Sequence, residues 1–439
     1  MQRKRHLLKA AGFFAAMLLW TAAFPPLSAA AAAPDIQAQT AILIDIDTGQ
    51  ILLEKGMDQK MYPASLTKIM TALIATEEGD PQEVITMSRE AVFSLPYGCS
   101  HIALTDGEQL TLLDALYATM LPSANDAANG VAEHLSGSIE AFAERMNQRA
   151  AALGATNTHF VNPSGLPDPN HYTTARDLAL ITMQALRQPL FTQIWGTVQY
   201  TMGPTNKQDK ERYFWNQTGL LVNNGYNYAY CTGGKLGWTE EAKHTLAAVA
   251  EKDGRRLLCI LMKNTVMAEN FKEAARLFEY GFNSFTSYTV AEDQLEQPAP
   301  VPIYHNGREV GRMLFQARPL TLLLADGVLL HEITPAYQLP DKVELGQTPT
   351  ATVTYTLPSH VQGQFSTVGV QSLLVTGQEI FPANQPQDGG DTALPPRYYP
   401  KAEIDAPIWT MIAMVLGFGV YSVLLSLKNQ TSRPARQRR

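Results

Sequence analysis

Ser65 and Lys68 stand three residues apart in the run Tyr62-Pro63-Ala64-Ser65-Leu66-Thr67-Lys68-Ile69-Met70. A proline ahead of a run of helix formers places Ser65 in the first turn of a helix. The i, i+3 spacing then puts both side chains on one face, where an amine can take the hydroxyl proton and leave a nucleophile. Ile69, Met70 and Leu73 would partly desolvate Lys68, and burial lowers an amine pKa, so an uncharged lysine can serve as the base near neutral pH. Backbone N–H groups at the helix start favour an anion formed there. An ordinary N-cap serine with a solvated lysine one turn later is the plain alternative, and this spacing arises by chance about once in a chain of this size.

Further along, Leu121-Pro122-Ser123-Ala124-Asn125-Asp126 follows the amphipathic stretch Leu110 to Met120 and places a hydroxyl and an amide at a helix-to-helix turn. Such a pair can relay a proton and hold a substrate amide; equally, it can cap the next helix. Gly233-Gly234-Lys235-Leu236-Gly237-Trp238-Thr239 reads as a glycine-flanked strand entry. There a bare backbone can approach a ligand and Lys235 can offer positive charge to a carboxylate.

These groups need a scaffold. Thr40 to Asp45 and Gln50 to Glu54 flank Asp47-Thr48-Gly49, and Thr245 to Ala250 and Arg256 to Met262 flank Glu251-Lys252-Asp253-Gly254, so each pair reads as a hairpin. The two are expected to be neighbours in one antiparallel sheet. Helical and strand-like periodicities mix from residue 34 to 288, whereas 289–381 is strand-rich, as in Pro319 to Leu324 and Ala351 to Thr356. Residues 382–406, with prolines and a Gly389-Gly390 pair, suit an extended stalk.

The order Ser-x-x-Lys, Ser-x-Asn, Lys-x-Gly resembles that of penicillin-binding proteins and β-lactamases. More narrowly, about Gln39 to Met262 resembles the low-molecular-weight D-alanyl-D-alanine carboxypeptidases, serine peptidase family S11. The likeness includes Asn125-Asp126-Ala127-Ala128, Phe160-Val161-Asn162-Pro163-Ser164-Gly165-Leu166 and Tyr172-Thr173-Thr174-Ala175-Arg176-Asp177-Leu178-Ala179. It implies a β-lactamase/transpeptidase-like α/β (α+β) catalytic domain with an antiparallel sheet and helices, then a small β-rich domain and a C-terminal transmembrane helix. It also implies that Ser65 attacks the bond between the last two D-alanines of a peptidoglycan stem peptide, with Lys68 as general base and Ser123 as proton relay. Asn125 and Lys235 would bind substrate, and the Ser65 and Trp238 backbone N–H groups would form the oxyanion hole. β-Lactams would acylate the same serine. One position departs from the pattern: Leu236 stands where the family usually carries threonine, and losing a hydrogen bond to a charged group costs about 1.5–3 kcal/mol. Thr239, further along the strand, is the sequence's candidate to compensate. Ala242-Lys243-His244 also differs from the expected run. A β-lactamase-like hydrolase and a catalytically silent wall-binding protein are the competing readings; an absent Glu-x-x-Leu-Asn signature counts against the first, the intact serines and lysine against the second.

The 439 residues are 45% hydrophobic but only 17% charged, low for a protein wholly in water. The ends account for this. Residues 1–33 run from Arg3, Lys4, Arg5 and Lys9 through an apolar stretch to small residues, the order of a signal peptide. Residues 407–427 are twenty-one uncharged residues, enough to span a membrane, followed in 428–439 by five positive charges and no acid. The reading expects a single-pass protein of the cell membrane, with an extracytoplasmic body and a cytoplasmic C-terminus. Removing the leader's four positive charges takes the net charge from −7 to −11. That argues against nucleic acid as a partner. Nine histidines without a His-Glu-x-x-His pattern, and three scattered cysteines, lead to no expected metal or cofactor. His171 reads as a structural hydrogen-bonder, and the cysteines as mostly buried small residues, with Cys231, near Lys235, as one that could react with oxidants.

Overall fold

The computed structural model describes residues 33–223, 225–357 and 367–381. The expected signal peptide up to residue 32, and the expected stalk, transmembrane helix and cytoplasmic tail over 382–439, lie outside the described residues. Among those described, no helix is long and apolar enough to cross a membrane. The fold divides into two compact units, with a break between Tyr288 and Thr289.

The first unit is built on a five-stranded antiparallel sheet. Strands β1 (Thr40–Asp45) and β2 (Ile51–Lys55) form one hairpin, and β3 (Cys231–Thr239), β4 (Lys243–Lys252) and β5 (Arg255–Asn264) form a meander, in the order β2-β1-β5-β4-β3. The two predicted hairpins meet as neighbours where Ile42 pairs with Ile260. The β4–β5 turn is Asp253-Gly254, both at positive φ. Every residue of β1 is buried, which requires cover on both faces because successive side chains alternate. Ile42, Ile44, Leu258, Ile260 and Met262 join the main core with helices α1 (Lys68–Glu78) and α5 (Ala175–Ala185). On the other face Leu43, Leu52 and Leu257 meet Gly281 of α7 (Met267–Asn283).

Helix α1 is buried from Lys68 to Ala75, the mark of a central helix. Around it lie α2 (Leu112–Met120), α3 (Asn125–Ser136), α4 (Ile139–Ala152) and α6 (Pro189–Gly196). Caps fix several starts: Thr111 and Asp114 make a capping box on α2, and Ser138 and Thr174 cap α4 and α5. α3 starts without a side-chain cap, so Ser123 and Asn125 are not there to cap it.

In the second unit Val301–His305 and Arg308–Gln316 form a hairpin around Asn306-Gly307, both at positive φ as a tight hairpin turn needs. Val343–Glu344 and Leu374–Ile380 flank it to complete a four-stranded sheet. Thr321–Val328, which the strand-rich texture assigned to the β domain, groups instead with the first unit.

Candidate active site

The first turn of the predicted helix is a 3-10 turn, Ala64–Thr67, leading directly into α1 at Lys68. Ser65 is half-buried at this mouth, and Lys68 is fully buried. Ala64 holds φ +50°, a left-handed conformation that costs a non-glycine residue about 1–2 kcal/mol. The packing around it explains how this is sustained. Gly165 lies so close that a Cβ there would come within 1.8 Å of the Ala64 carbonyl oxygen, and Thr245 Oγ1 donates to the Pro63 carbonyl at 3.1 Å.

Lys68 Nζ lies 3.1 Å from Ser65 Oγ, 2.6 Å from Asn125 Oδ1 and 2.7 Å from the Ser164 carbonyl oxygen. A neutral amine has two N–H donors and one lone pair. Asn125 and Ser164 can accept only, so they take the two donors and leave the lone pair for the Ser65 hydroxyl. Burial, and next the nearby Lys235 charge, hold the Lys68 pKa well below the usual lysine value. The separation is what a base for Ser65 needs, and burial favours the neutral amine that would act as one.

Asn125 opens α3 and is positioned by the loop before it, its N–H donating to the Ser100 carbonyl at 2.8 Å. Asp126 accepts from the Ile102 and Leu104 N–H groups and so holds the same loop. Ser123 stands at φ +65°, buried, its hydroxyl without a hydrogen-bond partner among the described residues. Strain and an unpaired buried hydroxyl at one residue are features that structures retain at working sites.

Opposite lies β3, the edge of the sheet. Gly237 abuts the nucleophile's turn: a Cβ there would come within 2.9 Å of the Ser65 N and 3.2 Å of Ala64 Cβ. Trp238, expected to supply the second oxyanion N–H, is the next residue on that strand. Lys235 is fully buried, its ammonium resting 2.9 Å from the Leu236 carbonyl, and burial pushes its pKa down to about 7. The oxygen of Thr239 accepts from Ala242 N–H at 3.0 Å in the β3–β4 turn, which leaves its O–H as a donor. In that turn Lys243 pairs with Glu240, while His244 lies against the Trp238 ring.

Several contributors carry no warning in their residue types. The Ser164 carbonyl reaches Lys68 because Asn162 Oδ1 gathers the Ser164 and Gly165 N–H groups into a tight turn, and the Pro163 carbonyl accepts from Thr71 Oγ1 at 2.6 Å. Asn-Pro-Ser-Gly is a turn signal, but it says nothing of where the turn points. His171 proves structural. Its Nδ1 accepts from Val161 N–H and its Nε2 faces Thr67 Oγ1 at 2.8 Å, while burial lowers its pKa to about 4 and keeps it neutral. The three cysteines are free. Burial raises the Cys231 pKa to about 11, which disfavours the thiolate that oxidants attack.

A serine beside a buried lysine at a helix mouth, facing the edge of an antiparallel sheet, is the arrangement of the penicillin-binding serine peptidases. Solved structures agree. Penicillin-binding protein 5 from Haemophilus influenzae superposes with a TM-score of 0.61 at 27% identity, covering 78% of this chain and 98% of that one. A D-alanyl-D-alanine carboxypeptidase from Mycobacterium tuberculosis H37Rv gives 0.53 at 32%, covering 59% and 96%. Among curated relatives, the D-alanyl-D-alanine carboxypeptidase DacF of Bacillus subtilis is 29% identical over 70% of this chain and 77% of its own length. Residues 28–265 match the Peptidase S11 model, D-alanyl-D-alanine carboxypeptidase. The chain belongs to this family and is a serine carboxypeptidase.

Proposed function

We propose that the protein removes the terminal D-alanine from peptidoglycan stem pentapeptides through an acyl-enzyme on Ser65. Ser65 Oγ attacks the carbonyl of the penultimate D-alanine while its proton passes to Lys68 Nζ. The C–N bond then breaks, and the departing D-alanine amine takes a proton relayed by Ser123. Water hydrolyses the ester and returns the proton to Ser65. Asn125 orients both Lys68 and the acyl chain, the Ser65 and Trp238 N–H groups hold the oxyanion, and Lys235 receives the terminal carboxylate. The observation that carries this reading is the fully buried Lys68, its Nζ 3.1 Å from Ser65 Oγ and held there by Asn125 Oδ1 and the Ser164 carbonyl. β-Lactams inhibit by acylating Ser65. The sequence at the two ends supports export and a C-terminal tether in the cell membrane, with the body facing the wall.

The test is D-alanine release from a pentapeptide together with labelling by a fluorescent penicillin. Both are expected in the full chain, and both are lost in Ser65→Ala. Release that persists in Ser65→Ala would overturn the mechanism.

A further inference from the structure

Two N–H groups that stabilise an oxyanion must both come within hydrogen-bond distance of one oxygen, so their separation has to be fixed. Here they belong to different elements. The Ser65 N–H lies in the 3-10 turn and the Trp238 N–H on β3, far apart along the chain.

One buried side chain spans the gap. Thr245 stands on β4 directly across from Gly237 and is fully buried. Its hydroxyl donates to the Pro63 carbonyl at 3.1 Å, and the other donor to that carbonyl is the Leu66 N–H of the 3-10 turn at 3.3 Å. A Cβ on Gly237 would come within 2.4 Å of Thr245 Oγ1 and 2.9 Å of Ser65 N. The hydroxyl therefore lies over the strand residue before Trp238, on the face that meets the nucleophile, and ties it to the residue two before Ser65. The strand around it is irregular. Pairing of β4 with β5 shifts register between His244 and Leu246, opposite Met262 and Lys263. Such irregularities bend a strand, re-aim a side chain and recur beside active sites. Lys263 stands at φ +58° and Lys243, two residues before Thr245, at φ +52°, while Ala64 at the other end of the contact is at φ +50°. Three non-glycine residues in the left-handed region, gathered around one hydrogen bond, persist only where the surroundings over-determine them.

We propose that Thr245 is a positioning residue for acylation: through Pro63 its hydroxyl holds the nucleophile's turn against β3, so that the Ser65 and Trp238 N–H groups converge on one carbonyl oxygen. This rests on the carboxypeptidase reading above. Thr245 acts on the backbone of the turn and not on the reacting atoms. Its effect falls on the transition state, where that oxygen carries charge, rather than on the first binding of the substrate.

The experiment follows acylation of Ser65 by a penicillin on the full chain and measures the limiting rate and the half-saturating concentration separately. Thr245→Val keeps the shape and removes the hydroxyl; it should lower the limiting rate about tenfold and leave the half-saturating concentration unchanged. Thr245→Ser, which keeps the hydroxyl and loses the methyl group, should acylate close to the wild-type rate. If Thr245→Val does not fold, Thr245→Ala takes its place, and it differs from Thr245→Ser by the hydroxyl alone. Thr245→Val as fast as wild type would overturn the proposal. So would Thr245→Ser as slow as Thr245→Val, since lost packing would then account for both, and so would a change confined to the half-saturating concentration. Failure of the wild type to acylate at all would instead overturn the carboxypeptidase reading, and this proposal with it.

Discussion

Lys68 and Lys235 are both buried, and the charge of Lys235 adds to burial in lowering the Lys68 pKa. The base must be neutral, so the pair works when its proton sits on Lys235. This has two consequences for pH. The pKa of Lys235 lies near 7, so the ammonium that binds a carboxylate is present below that value and lost above it. KM for a free-carboxylate peptide should therefore rise as pH climbs past 7, with a smaller effect on a β-lactam ester. In Lys235→Gln the opposing charge is gone, the Lys68 pKa rises, and the acid limb of ester acylation should move to higher pH. A limb that stays in place or moves down would show that Lys235 does not tune the base. At this scale much was legible beforehand. Ser65, Lys68, Ser123 and Asn125 announce themselves by type and spacing, because side chains that do chemistry are few. The Ser164 carbonyl does not, since every residue has a carbonyl and only the fold says which one reaches an amine. Nor does sequence say that the Thr239 oxygen accepts from Ala242 N–H across the β3–β4 turn.

The nucleophile's turn depends on a partner element almost one hundred residues away. Gly165 is at φ +87°, and a Cβ there would lie 1.8 Å from the Ala64 carbonyl oxygen. Neither the backbone nor the contact tolerates a side chain. Gly165→Ala should cost about 2 kcal/mol or more, combining left-handed strain with displacement of the turn. Denaturant unfolding would measure the loss, and penicillin acylation should slow beyond what any fall in folded fraction explains. Unchanged stability and acylation would show that the 160–166 turn does not hold Ala64 in place. The hairpins of the sheet could be read from alternation and from the Asp-Gly turn, both of them local signals. Two features could not. The nucleophile's first turn is 3-10 rather than α because Ala64 is set by contacts from Gly165 and Thr245, which are distant in sequence. Thr321–Val328 belongs with the first unit although its texture matches the β domain, because Leu323 exchanges hydrogen bonds with the Gln50 side chain, 2.5 and 2.9 Å long. A strand's composition does not name its neighbours.

For the whole molecule, the distribution of charge supports the proposed division into a body and a tether. Between residues 34 and 427 the net charge is −16, once the leader's four and the tail's five positive charges are left aside from the total of −7. A body of that sign is repelled by anionic lipid, so the proposed membrane tether is assigned to residues 407–427 rather than to the catalytic surface. Twenty-one uncharged residues match a hydrocarbon thickness of about 30 Å at 1.5 Å per helical residue. Basic residues beyond them oppose translocation of the tail. The full chain should therefore sediment with membranes, resist extraction by high salt and by alkaline carbonate, and be released by detergent. A chain ending at Ala406 should be found in the soluble fraction and still be acylated at Ser65 at the full-length rate, since every residue of the site lies before position 240. Membrane retention of the truncated chain would place the attachment in the body and remove the tether from the argument. A soluble but unreactive truncation would mean that the C-terminal segment supports the site as well as anchoring it.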